Sequence, residues 1–226
     1  NWFDSDDLMV AEKLNKQTEV SINNDTDLVL CHTEVFNDKM NISLGLRCKD
    51  IRIDNIFENF VTKKTIFLTQ APLIKRKFLL NNKFKFDEEL KAAQEWEFFS
   101  RILFPNPKVF MLDEPLVKLR KHDDSISDNG NARTRRWNYT LARIKILLYI
   151  LKRNALNNTL RAYFKRYFEN AFFTLITFKL FDKIKFLLNE IFPLLFTNFQ
   201  ISKAKIYVLI KKNTGKGESL KKHIFK

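Results

Sequence analysis

The sequence predicts a mixed α/β domain over residues 1–132, followed by an α-helical extension over 133–226. Three observations carry that prediction. Short apolar runs bounded by turn residues alternate with helical stripes in the first stretch, whereas helical periodicity runs almost unbroken through the second. The charge changes at the same place: residues 1–132 hold 19 basic and 22 acidic side chains, and 133–226 hold 21 basic and 4 acidic. The formal charge of +14 therefore sums a near-neutral part and a part at +17, an asymmetry that suggests two functional units on one chain.

Taken in order, Asn1–Asp7 reads as a strand end running into an acidic turn. A short helix over Leu8–Lys16 follows, capped by Asp6 or Asp7. Asp27–His32 is strand-like, Asn41–Arg47 suits a second strand and Ile53–Phe60 a short helix. Gln70–Arg76 is extended, because the residue before Pro72 is pushed toward β geometry. Glu88–Phe104 carries a helical stripe of Leu90, Ala93, Trp96, Phe99, Ile102 and Leu103, stopped by Pro105. Two strands, Lys108–Leu112 and Leu116–Arg120, lead into the polar stretch His122–Asn131, whose Asn-Gly pair and Ser/Asp content predict a mobile loop. Trp137–Arg153, Leu160–Lys179, Leu180–Phe192 and Ala204–Lys212 are helical patterns, and the Lys/Gly-rich tail from Asn213 reads as frayed.

Composition excludes several classes. With 45% hydrophobic and 14% aromatic residues the chain can bury a core, and four Gly with five Pro rule out collagen-like and low-complexity architectures. Cys31 and Cys48 are too few for a disulfide framework and read as reduced small hydrophobes of a cytosolic protein. No apolar run approaches the roughly 18–20 residues of a membrane span, and no stretch reads as a signal peptide.

Three groups of residues carry chemistry. Asp4 and Asp6, spaced i, i+2 in a turn with Asp7 beside them, can meet one divalent cation through hard oxygen ligands. Taken alone, an acidic turn of this kind is more often a helix cap. Glu95 lies in the N-terminal half of a predicted helix, where the dipole favours an ionised carboxylate able to take a proton from a hydroxyl; its plain alternative is a solvated helix face. Arg120 and His122 share a face of an extended segment, where the guanidinium fork suits phosphate and the imidazole suits metal or pyrophosphate. An ordinary strand end with surface charges is the plain reading there.

Order lifts these pieces above their plain readings. Phe3-Asp4-Ser5-Asp6-Asp7, then Gln70-Ala71-Pro72-Leu73-Ile74-Lys75-Arg76, then Phe86–Leu90 with Gln94-Glu95-Trp96-Glu97, then Pro115-Leu116 through Arg120-Lys121-His122 to Ser127, resembles the family 2 glycosyltransferases of the GT-A fold. The resemblance covers roughly residues 1–127. It implies inverting transfer of a sugar from a nucleotide-sugar donor, usually a UDP-sugar, to a glycan or polyprenyl-linked acceptor, with Mg²⁺ or Mn²⁺. Residue by residue, it implies Asp4 and Asp6 as the Asp-x-Asp that meets metal and donor, Glu95 as catalytic base, Arg120 and His122 at the pyrophosphate, and His122 also at the metal. The family usually carries Asp where this chain has Glu95, one methylene longer.

In that family a nucleotide-binding βαβ half, a Rossmann-like unit, precedes the Asp-x-Asp, whereas here the motif stands at position 4. The expectation is therefore the metal- and acceptor-side portion of such a domain, inactive by itself, with 123–131 as a lid over bound nucleotide.

The helical part admits a plain reading as a small bundle with lysines outside, its faces Leu160/Phe164/Tyr167/Phe168/Ala171/Leu175/Phe178 and Leu180/Ile184/Leu187/Leu188/Ile191 turned inward. The excess of bases favours an anionic membrane surface over nucleic acid, for which no binding motif is present. The expected location is cytoplasmic, peripheral at the inner face of the plasma membrane. The alternative from another class is a non-catalytic membrane- or nucleic-acid-binding module derived from the same fold.

Overall fold

The computed structural model describes residues 2–121 and 131–225. The chain divides into two compact units, Asn1–Gly130 and Asn131–Lys226. The first is mixed α/β and the second is helical.

The first unit is built on strand β2 (Leu28–Phe36). Leu28, Val29, Leu30 and Cys31 are wholly buried, as in a central strand covered on both faces. Strand β5 (Val109–Arg120) runs parallel to it on one side. On β2's other edge lie β3 (Ser43–Leu46) and β4 (Leu73–Ile74), both antiparallel. Strand β1 (Leu8–Met9) pairs antiparallel with the far edge of β5, Leu8 opposite Lys118 and Met9 opposite Val117. Helices α1 (Lys13–Asn24), α2 (Ile56–Val61), α3 (Arg76–Asn81) and α4 (Gln94–Leu103) complete the unit. Its core joins the sheet residues to Ile56, Phe60, Phe67, Phe98, Phe99, Ile102 and Leu103.

Several elements depart from the sequence expectations. The two strands predicted between 108 and 120 are one strand, because β5 keeps pairing with β2 through register shifts on either side of His32. Pro115 is tolerated at that irregularity, where a missing N–H costs no regular ladder bond. The helix expected over Leu8–Lys16 begins at Lys13, and its N-cap residue Glu12 makes no side-chain capping bond. The acidic residues before it are therefore not caps. Helix α4 begins at Gln94 rather than Glu88; Ala93 precedes it in the left-handed region at φ 62° and breaks the helical path.

In the second unit, helix α5 (Ala132–Leu151) and helix α6 (Asn158–Thr177) form a hairpin. Asn131 accepts from the backbone N–H groups of Arg133 and Thr134, and Asn157 accepts from Leu160. Helix α7 (Phe181–Phe186) continues through a π turn (Leu187–Ile191) and a 3₁₀ turn (Phe192–Leu194). Helix α8 (Asn198–Thr214) starts on a Thr197/Gln200 capping box, and α9 (Glu218–Lys221) follows. The predicted inward faces hold in the main: Leu160, Phe164, Phe168, Ala171, Leu175, Ile184, Leu187, Leu188 and Ile191 are buried, whereas Tyr167, Phe178 and Leu180 are half-buried.

The tail is not frayed. Ile224 is buried, Phe225 meets Phe172, Phe173 and Phe192 edge-on and Phe196 at a tilt, and its carbonyl accepts from the Gln200 amide at 2.7 Å. Two apolar residues at the end of a lysine run were enough to dock it, which composition alone concealed.

Candidate functional site

The acidic turn is positioned by β1. Pairing of Leu8 and Met9 with the end of β5 brings the residues just before them beside Arg120. The Arg120 N–H donates to Asp7 Oδ1 at 3.1 Å, and the Gln70 side-chain amide donates to Asp4 Oδ2 at 2.6 Å and Asp7 Oδ2 at 2.5 Å. Ligand-capable oxygens of Asp4, Asp6 and Asp7 all lie within 4.8 Å of one another. Asp4 is exposed, Asp6 half-buried and Asp7 buried.

Gln70 is itself held from below. The Gln17 amide on α1 donates to the carbonyls of Val29 and Ala71 at 2.8 and 2.9 Å. The Cys31 thiol also points at the Ala71 carbonyl, at 3.3 Å. Lys13, fully buried, donates to Gln17 Oε1 at 2.7 Å. A buried polar ladder from α1 across β2 thus fixes the backbone next to Gln70, and Gln70 bridges two of the three carboxylates. Burial pushes the Lys13 ammonium below its usual range and the Cys31 thiol up to about 11.

Burial raises the Asp7 carboxyl above the usual carboxylate range; the Arg120 N–H opposes this, the neighbouring Asp6 and Asp4 charges add to it, and Gln70 lowers it. Like charges this close repel, and a cation between them relieves that cost. Opposite oxygen ligands of a magnesium-sized ion stand about 4.2 Å apart, twice the ~2.1 Å metal–oxygen distance. The all-oxygen donor set and the 4.8 Å spread therefore fit a hard divalent cation after small side-chain adjustment.

Arg120 ends β5 with its side chain half-buried, and its Nε is buried with no hydrogen-bond partner among the described residues. His122, the other predicted phosphate or metal ligand, lies outside the described residues, as does the proposed lid apart from Asn131.

Glu95 stands in the first turn of α4, exposed. Among the described residues its carboxylate has no hydrogen-bond or ion-pair partner. Its neighbour Glu97 is buried and forked by Arg101 at 2.6 and 2.8 Å, so that pair is structural. The acidic turn and α4 share one aromatic cluster: the Trp2 ring meets Phe86 and Phe98 edge-on at 5.5 Å, and Phe86 stacks on Phe98 at 3.9 Å. The first unit therefore brings Asp4, Asp6, Asp7 and Arg120 together directly, and links α4 to them through Trp2.

Sequence reasoning missed Gln70 as the bridging donor, Asp7 as the buried member of the cluster, and Trp2. Gln70 carried a signal, since it opens the Gln-Ala-Pro run; Lys13 and Gln17 carried none, because a polar pair on a short helix reads as solvated surface.

No protein-family model matches the chain, and no curated protein matches it. Among solved structures it is similar to the crystal structure of residues 1–349 of TarS from S. aureus, at 16% identity and a TM-score of 0.47. The match covers 92% of this chain and 52% of that one, so this chain spans about half the length of its structural neighbour. Similarity at this level bears on neither the activity nor the site residues. No helix among the described residues is long and apolar enough to cross a membrane.

Proposed function

We propose that the first unit is the metal- and acceptor-side part of an inverting GT-A glycosyltransferase that takes its sugar from a nucleotide-sugar, a UDP-sugar by the family resemblance, and transfers it to a hydroxyl of a glycan or polyprenyl-linked acceptor. The observation that carries the reading is the three-carboxylate cluster, bridged by Gln70 and seated against Arg120.

Asp6 and Asp4 would hold Mg²⁺ or Mn²⁺, with Asp7 completing the acidic wall and His122 as a further ligand. The ion would supply neutralising charge for a diphosphate leaving group. Arg120 would add its guanidinium to the same oxygens. Glu95 receives the proton of the acceptor hydroxyl while that oxygen bonds the anomeric carbon from the face opposite the departing diphosphate. At the anomeric carbon the bond to the acceptor oxygen forms as the bond to the diphosphate oxygen breaks, the hydroxyl proton ends on Glu95, and configuration inverts. The second unit, carrying +17, holds the protein against an anionic surface at the cytoplasmic face of a membrane.

Manganese titration of this chain, followed by the loss of its free-ion EPR signal, tests the site. Binding should be present in the chain and absent in Asp6→Ala; equal binding by both would overturn the assignment. In the full natural protein, Glu95→Gln should lower kcat by about 10²–10⁴-fold with donor affinity kept, and unchanged turnover would remove Glu95 as base. A purely binding module would bind anionic partners through the second unit and lose nothing in Asp6→Ala.

A further inference from the structure

We propose that the outer face of helix α8 is the surface by which this chain lies on an anionic lipid membrane; the proposal rests on the membrane reading above and names the residues that make the contact. The inner face of α8 packs into its unit through Ile201, Ala204 and Tyr207, all buried. Its outer face carries Phe199, Ile206 and Leu209 at 67%, 57% and 62% exposure. With 3.6 residues per turn, those three side chains fall within an arc of about 80°. They form one strip, with Ser202 and Asn213 between and beside them.

No other helix among the described residues exposes more than two large apolar side chains. The faces of α6 and α7 that the sequence pattern marks as most hydrophobic are buried within the unit, so they offer nothing to lipid. The lipid-facing strip therefore has to come from elsewhere, and α8 has one.

Charge decides what covers it. Exposed Lys205 and Lys212 border the strip on one side. Lys203 borders it on the other, its ammonium 4.3 Å from the centre of the Phe199 ring. Residues 198–226 hold eight lysines and one acidic residue, Glu218, which Lys211 engages at 2.6 Å. A second copy docking face to face would set lysines against lysines, and the one acidic side chain among the described residues of 198–225, Glu218, is already taken by Lys211. Nucleic acid would answer the lysines and leave Ile206 and Leu209 in water. Anionic headgroups answer the lysines while the interfacial zone takes up Phe, Ile and Leu, and this is the pattern of a helix lying in the membrane plane.

Flotation with phosphatidylcholine vesicles, with and without phosphatidylglycerol, is the test. The chain should float with the anionic vesicles and not the neutral ones, and salt should weaken binding. The variant F199S/I206S/L209S should lose about tenfold or more in affinity, since three apolar anchors leave the interface. Leu148→Ser, which alters an exposed leucine on α5, should bind normally. Phe199→Trp, which keeps the anchor, should show a blue shift of indole emission on anionic vesicles only. Wild-type binding with an unchanged triple variant and no emission shift would overturn this inference and leave the membrane reading standing. No wild-type binding at low salt would remove both. A concentration-dependent dimer in light scattering that the triple variant abolishes, with vesicle binding unaffected, would assign the strip to a second copy.

Discussion

The first unit buries Asp7, Lys13, Gln17, His32, Gln70 and Glu97, while the second buries a continuous aromatic and aliphatic core with Asn138, Thr140 and Arg143 as its polar exceptions. In the first, four of them lie along one chain of contacts, Lys13 to Gln17, Gln17 to the Ala71 carbonyl, Gln70 to Asp4 and Asp7, while His32 and Glu97 engage Asp113 and Arg101. In the second, Arg143 donates to the Tyr139 carbonyl and lies 5.1 Å from the centre of the Tyr167 ring. A buried polar network costs stability wherever it is incompletely satisfied, and it fixes geometry where it is satisfied. The difference teaches that the first unit spends stability to hold a few atoms in place, whereas the second draws its order from a nearly dry apolar core.

The sharpest way to break this contrast is to open the dry core. Phe172, wholly buried and in ring contact with Phe192, Tyr207 and Phe225, should cost about 3–5 kcal/mol on truncation to Ala. Urea unfolding followed by aromatic circular dichroism reads this, and a loss below about 1 kcal/mol would mean the core repacks.

The network of the first unit should answer differently. Gln70→Leu removes the donor shared by Asp4 and Asp7, and Mn²⁺ affinity should fall by about 10–100-fold with little change in fold. Calorimetric titration with the metal checks it. Without metal, the raised Asp7 carboxyl sets a pH trend. Between the ordinary 3.8 and its folded value, the folded state keeps a proton that the unfolded chain has released, so stability falls as pH rises through that window. Asp7→Asn should flatten that stretch of the stability–pH curve.

Lys13 should give the opposite slope. Its folded pKa is lowered, so the unfolded chain binds more protons between that value and 10.5, and stability should rise with pH there. Replacement by Met should add about 1 kcal/mol at neutral pH, because a buried ammonium gives way to an apolar chain of similar length. A destabilised Lys13→Met protein would show that the bond to Gln17 outweighs its desolvation.

The smallest effect should come at Ala93, whose left-handed backbone just ahead of Glu95 carries strain that Gly does not feel. Ala93→Gly should stabilise by about 1 kcal/mol or less in thermal melts, and any change in turnover without a change in melting would mark this kink as part of the site.

Much of this molecule was legible beforehand. The central strand from Leu28, the stripe of α4 beyond Gln94, and the inward faces of α6 and α7 follow from side-chain periodicity, which the burial of apolar residues enforces directly. Asp4 and Asp6 were legible as a local pair, because two carboxylates two residues apart in a turn are neighbours in any fold. The strip on α8 was not legible. Phe199, Ile206 and Leu209 look no different in sequence from Ile201, Ala204 and Tyr207, and both faces of that helix are apolar. Which face goes inward depends on where the rest of the bundle stands.

The sequence by itself determined the change of class near residue 132, the charge of each part, and the candidate chemistry of Asp4, Asp6, Glu95 and Arg120, since these rest on local spacing and on residue type. Only the tertiary structure decided that Asp7 is buried rather than capping a helix, that Gln70 comes to it across 63 residues of chain, and that the last residues fold back onto Phe172. The physical reason is the same in each case. Periodicity reports what a residue's own element demands, while long-range hydrogen bonds and docking faces depend on the sheet register and helix packing that bring distant segments together.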